Sequence, residues 1–293
     1  MLKILIYMKG TGIMNKLKMC VFSDIHYIDE KPEWKVNRKL VEYAEPLTDK
    51  IIDKVNSELK PDICINLGDM IQSAQNKEKD LENLKYIWKK LQQFNVPFYT
   101  LIGNHELKSV ENNKEVMDIL GYENATYGVD INGYHLLFIG TDVNKEDKKY
   151  KTQYISDRDL KWIAEDLDAN RDKKVIVFSH FGIAEDEMKG NFYYDQNPEG
   201  GMIINRKKLK NIFHRHSNIL SVFCGHQHWT KTIKENGVPY YMLGALTENM
   251  NWNGIPDGVY FDVDINGDTV KVREEHLKLN LQKNRIEKDD DGR

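Results

Sequence analysis

Five short apolar runs in this chain each stop at a polar residue of the kind that binds metal. Met19-Cys-Val-Phe22 runs into Ser23-Asp24-Ile25-His26, and Ile63-Cys-Ile-Asn-Leu67 runs into Gly68-Asp69. Phe98-Tyr-Thr-Leu-Ile102 leads to Gly103-Asn104-His105-Glu106, and Val175-Ile-Val-Phe178 to Ser179-His180. The fifth, Ile219-Leu-Ser-Val-Phe-Cys224, leads to Gly225-His226-Gln227-His228. Runs this short and apolar, bounded by glycine or serine, read as buried strands. Amphipathic stretches of helical period, residues 38–59 and 79–94, separate the first three; Pro46 must start or kink the former and Pro61 ends it. Strand–helix–strand order implies parallel pairing with right-handed crossovers. In such sheets ligands bind at the carboxyl ends of the strands, where all five polar tails emerge.

The remaining segments fill out the same architecture. Residues 127–130 and 134–141 form a hairpin turning at Asn132-Gly133. Helices are expected over 160–167 and 206–214, and strands over 240–243, 258–263 and 269–275. There is no internal repeat, low-complexity linker or composition shift. One α/β domain over residues 18–278, with two packed mixed β-sheets flanked by helices, uses every strand. Residues 1–17 read as an N-terminal extension, with Met14 favoured as the true start, and 279–293 as a charged C-terminal tail.

Charge and cysteine usage narrow the function classes. The formal net charge of −4 opposes a dedicated nucleic-acid binder. Cys20, Cys64 and Cys224 lie in apolar runs without a CxxC partner, which disfavours both a disulfide framework and a thiolate zinc site. Buried free thiols suggest a reducing compartment, so a cytoplasmic location is expected. No stretch has the length and apolarity of a membrane span.

The ligand-type residues are Asp24, His26, Asp69, Asn104, His180, His226 and His228. Residues two apart in an extended segment point to the same side, so His226 and His228 can face one point. A divalent ion takes about four to six donors, so this set, sharing one carboxylate, suits two ions. Any one block alone is an ordinary turn or cap; five in order, each after a strand, carry the argument. His135, His214, His216 and His276 lack such company and are expected to be structural or surface residues.

The order DxH…GD…GNHE…H…GHxH resembles the calcineurin-like metallophosphoesterase superfamily over residues 18–275. That resemblance implies a four-layer α/β/β/α sandwich. It implies one metal on Asp24, His26, Asp69 and His228 and another on Asp69, Asn104, His180 and His226, so that Asp69 bridges. His105 then stabilises or protonates the leaving oxygen while a metal-bridging hydroxide attacks phosphorus. The metals would be Mn, Fe, Zn, Co or Ni. One departure is Ser179-His180-Phe181, where the family often carries a second histidine. The nearest branch resembles manganese-dependent ADP-ribose/CDP-alcohol diphosphatases and cyclic-nucleotide phosphodiesterases, which implies a small phosphoester substrate such as a nucleotide. Alternatives are a phosphomonoesterase of the same superfamily and a non-catalytic metal-binding module. Finally, the long segment 182–205 carries Phe192, Tyr193 and Tyr194. Tyr193 or Tyr194 is expected to stack on a flat group of the substrate, or else to pack the loop onto the protein.

Overall fold

Along β1 (Lys16–Phe22), Leu17, Met19 and Val21 enter one apolar core while Cys20 and Phe22 enter another. That alternation is the pleat of a strand buried on both faces. The computed structural model describes residues 16–30, 38–143, 147 and 149–279. The expected N-terminal extension and C-terminal tail lie almost wholly outside these residues. After β1 come α1 (Ala44–Lys54), β2 (Ile63–Asn66), α2 (Lys77–Leu91), β3 (Phe98–Thr100), α3 (Asn104–Leu107) and α4 (Lys114–Leu120). Then follow β4 (Tyr127–Ile131), β5 (Tyr134–Ile139), α5 (Asp157–Ala169), β6 (Lys174–Ser179), α6 (Arg206–Phe213) and β7 (Ile219–Cys224). The chain closes with β8 (Lys231–Glu235), β9 (Val238–Met242), β10 (Val259–Asn266) and β11 (Thr269–His276).

Two mixed sheets result, ordered β11-β10-β1-β2-β3 and β4-β5-β6-β7-β9-β8. Their facing sides share a core containing Val21, Ile65, Phe138, Phe178, Phe223 and Val263. A row of rings, Tyr127, Phe138, Phe178, Phe223 and Tyr241, crosses the second sheet with centroids 4.7 to 5.5 Å apart. Outside the first sheet lie α1 and α2, through Leu47, Ile51, Leu84 and Ile87. Outside the second lie α5 and α6, through Leu160, Ile163, Leu209 and Phe213. The architecture is therefore the expected α/β/β/α sandwich. Pro46 stands in the first turn of α1, where its missing N–H costs no helical bond. Asn132 and Gly133 both take positive φ, 49° and 80°, as a two-residue hairpin turn requires.

Three short elements escape the sequence reading: α3, α4 and β8. The last, Lys-Thr-Ile-Lys-Glu, is an edge strand with one apolar residue and charges to either side. Cys20, Cys64 and Cys224 are buried and free. No helix among the described residues is long and apolar enough to cross a membrane. His216, expected at the surface, is buried three residues beyond α6.

His135 is structural, as expected. Its two ring nitrogens each lie 2.8 Å from a carboxylate, Asp130 on β4 and Asp166 on α5. Burial opposes its charge, but those carboxylates outweigh burial and raise its pKa. A raised folded-state pKa stabilises fully below the unfolded value of about 6.5 and is lost as pH rises through the folded value. His135→Gln should therefore lower the melting temperature more at pH 6 than at pH 9. Equal losses at both would mean that ring packing, and not charge, is what matters.

Candidate metal centre

The polar tails leave their strands through strained backbone. Asp24, His26, Asp69, His226 and His228 have positive φ, between 52° and 65°. A non-glycine residue there costs about 1–3 kcal/mol and persists only where its surroundings enforce it. Here the strand ends enforce one another. Asp24 N–H donates to Gly68 O at 3.0 Å, His26 N–H to Asp69 O at 3.1 Å, and Gly225 N–H to His180 O at 3.0 Å. Side chains could not be added between them: a Cβ on Gly68, at φ 107°, would lie 2.7 Å from His180 Nδ1.

The seven ligand-type residues form one continuous, buried or nearly buried cluster. On one side, His26 Nε2 and His228 Nε2 are 3.0 Å apart, and His228 Nε2 is 3.2 Å from Asp24 Oδ1. On the other, His180 Nε2 is 3.2 Å from Asn104 Oδ1 and 3.4 Å from Asp69 Oδ1, with the His226 ring 4.9 Å from that of His180. Asp69 faces both sides, its Oδ2 being 3.9 Å from His26 Nε2. Three sets of donor atoms each fall within 4.8 Å: Asp24, His26 and His228; His26, Asp69 and His105; and Asp69, His180 and His226.

Tautomers show that this set fits cations. His180 Nδ1 lies 2.8 Å from Leu67 O, His226 Nε2 3.0 Å from Gly200 O, and His228 Nδ1 2.6 Å from a Glu248 oxygen. Each of those acceptors claims the ring's proton, leaving a lone pair on the other nitrogen. At His180 that lone pair faces the Asp69 and Asn104 oxygens, and at His228 the Asp24 carboxylate. Acceptors crowded on acceptors demand a positive charge between them. Burial opposes the charge on His180, but Asp69 outweighs it and lifts its pKa to about 9. For Asp69 burial is again outweighed, by His180 and His105, and its carboxyl is held well below the usual range.

Several residues of the centre escaped the sequence reading. Glu106 accepts from the backbone N–H groups of Asp69, Ile71 and Gly103, at 3.1, 3.1 and 2.7 Å, and so clamps two of the loops. Its burial, with Asp69 nearby, pushes its carboxyl up to about 7. It belongs to the Gly-Asn-His-Glu block and was legible there. Glu248 was not: it follows β9 in an unremarked loop, yet it orients His228 and is itself held by Arg38. Lys39 was not either, and its Nζ lies 3.4 Å from His105 Nε2.

His105 lies against the cluster, its Nε2 4.0 Å from Asp69 Oδ2. Its Nδ1 accepts from the Ser73 backbone N–H at 3.2 Å, so Nε2 carries the proton of the neutral ring. Burial first, then Lys39, holds its pKa well below the ordinary value. The aromatic triplet lies alongside. Tyr194 Oη is 2.9 Å from His226 Nε2, and Tyr193 Oη donates to Glu248 at 3.1 Å. Both tyrosines thus lean on residues of the centre. The open ring of the three is Phe192, 54% exposed, beside Trp252, 53% exposed. Arg38 lies over both rings, 5.0 and 5.2 Å from their centroids.

Known proteins share the fold, and one relative shares part of the sequence. A dimetal phosphatase from Danio rerio matches the fold with a TM-score of 0.67 at 13% identity, over 89% of this chain and 99% of that one. Purple acid phosphatase PPD1 from yellow lupin seeds matches at 0.61 and 15% identity, over 90% of this chain but 52% of its own length. In sequence, a probable glycerophosphodiester phosphodiesterase, GpdQ, from Arcobacter nitrofigilis is 26% identical over 225 residues, which is 74% of this chain and 73% of that protein. The family model for calcineurin-like phosphoesterases matches residues 17–230, a span that holds all seven ligand-type residues. This chain belongs to the calcineurin-like phosphoesterase family.

Proposed function

We propose that this enzyme is a dinuclear metal-dependent phosphohydrolase that cleaves a phosphodiester or nucleotide diphosphate bond. The observation that carries the reading is Asp69, whose carboxylate faces donor atoms of both sides of the cluster. Asp24, His26, Asp69 and His228 would hold one ion, and Asp69, Asn104, His180 and His226 the other. Two divalent ions held there supply Lewis acidity to the phosphoryl oxygens and lower the pKa of bound water.

The chain's own residues do the rest. Glu248 and the Leu67 and Gly200 carbonyls keep the imidazoles in the ligating tautomer. Glu106 keeps the Asp69 and Asn104 loops in register. The His105 Nε2–H donates to the leaving oxygen as negative charge develops on it. Tyr193 and Tyr194 brace the histidines, while Phe192 and Trp252, set edge to face at 72°, offer exposed rings to the organic half of the substrate. The Arcobacter relative, named for a phosphodiester, supports the diester branch of the reading.

The test is a panel of bis(4-nitrophenyl) phosphate, 4-nitrophenyl phosphate and ADP-ribose, each assayed with Mn, Fe, Zn, Co and Ni. Hydrolysis of the diester or of ADP-ribose, abolished by chelation and restored by metal, is expected. Turnover of the monoester alone would replace the reading by a phosphomonoesterase. No turnover of any, with two metals bound, would favour a binding module.

A further inference from the structure

The Lys39 ammonium approaches the centre without an ion-pair partner. Among the described residues no carboxylate lies within 4.0 Å of it, and its nearest polar neighbour is His105 Nε2 at 3.4 Å. That neighbour cannot accept from it. The Ser73 N–H occupies the His105 Nδ1 lone pair, so Nε2 of the neutral ring is a donor too. Two donors therefore point into one space with no acceptor between them. In the metal-free protein Asp69, Asp24 and Glu248 attract Lys39 at longer range. Two divalent ions would outweigh those carboxylates, and a partly buried ammonium would then need an anion opposite it.

Position says which anion. If His105 donates to the leaving oxygen, Lys39 beside it lies on the leaving-group side of the scissile phosphorus. Its other neighbour is the Tyr193 ring, with the centroid 5.8 Å away, next to Phe192 and Trp252. A diester loses an uncharged alcohol on that side, whereas a diphosphate loses a second phosphate. We propose that Lys39 and His105 together bind the leaving phosphate of a diphosphate-linked substrate, whose flat organic group lies beyond it on Phe192 and Trp252. Water oxygen bonds to the first phosphorus, and the bridging P–O electron pair departs with the second phosphate. The proton released from water goes to bulk buffer. The inference rests on the phosphohydrolase reading and selects one of its two bond classes.

The test compares wild type, Lys39→Met and Lys39→Arg, all loaded with manganese and matched for metal content and melting temperature. Calorimetry gives Kd for methylenediphosphonate, a non-hydrolysable diphosphate, and for inorganic phosphate. Loss of a charge-assisted bond to the second phosphate should weaken methylenediphosphonate about 10- to 100-fold in Lys39→Met. Inorganic phosphate should weaken less than about 3-fold, and Lys39→Arg should recover most of the loss. In turnover, kcat/KM should fall by a larger factor for ADP-ribose than for bis(4-nitrophenyl) phosphate, because both reactions use His105 beside Lys39 but only the first has a second phosphate to lose. Equal weakening of both anions would put Lys39 on the scissile phosphoryl group and overturn the proposal, as would no weakening of either. If wild type hydrolyses none of these esters, the phosphohydrolase reading fails, and the two Kd values still decide whether Lys39 binds a second phosphate.

Discussion

Asp69→Asn should leave the protein folded and empty of both metals. Asparagine keeps the shape of the side chain and its Oδ1, which accepts the His105 backbone N–H at 2.8 Å. What it removes is the charge that faces His26 on one side and His180 on the other. A ligand to one ion would cost that ion alone; a carboxylate between both sides costs the pair. Metal measured by mass spectrometry after gel filtration should fall from two ions per chain to fewer than one, and hydrolysis should fall to background. The melting temperature of the metal-free variant should stay close to that of metal-free wild type, which separates loss of metal from loss of fold. Two ions retained in Asp69→Asn would sink the bridging assignment and, with it, the dinuclear mechanism.

Replacing His105 by alanine should do the opposite, keeping the metals and losing turnover. A residue that donates to a leaving oxygen contributes about 10²–10⁴-fold. The loss should be greatest for poor leaving groups and should shrink for nitrophenolate, which departs without help. The geometry leaves a sharp alternative, because His105 also belongs to a cluster with His26 and Asp69 whose donor atoms lie within 4.8 Å of one another. If His105→Ala loses an ion, the residue is a ligand and the Nε2–H is not the leaving-group donor. Ser73 offers a further check through its backbone. Ser73→Pro would delete the N–H that fixes the tautomer together with a hydroxyl that bonds Asp80 and Ser109, so Ser73→Ala, which removes the hydroxyl alone, is its control: turnover should fall further in the proline variant, at equal metal content.

Much of this could be read from the chain alone because strands report their ends. An apolar run that stops at Gly-Asp or Gly-His declares both the strand and the side of the sheet on which its tail emerges. Seven such residues were legible, and the structure brings all seven into one cluster. The two-sheet sandwich followed from the number of strands to be used and from the family resemblance that the motif order carries. Helix α2 and hairpin β4–β5 were equally plain, one from its period and the other from Asn132-Gly133. Residues that act by proximity across the chain were not legible. Glu248 lies in a segment without local pattern, while Lys39 opens the stretch expected to be helical from residue 38 but stands ahead of α1, which begins at Ala44; the two are 209 positions apart. Their backbones nevertheless pair in an isolated antiparallel bridge, and both side chains attend the same centre. The aromatic triplet shows the same limit. Sequence placed three rings beside His180, but only packing decided that Tyr193 and Tyr194 spend their hydroxyls on Glu248 and His226 while Phe192 stays open. The reason is physical: strand period, turn chemistry and ligand type are set by neighbours a few residues away, whereas tautomers, orienting carboxylates and free ring faces depend on which distant segments the two sheets press together.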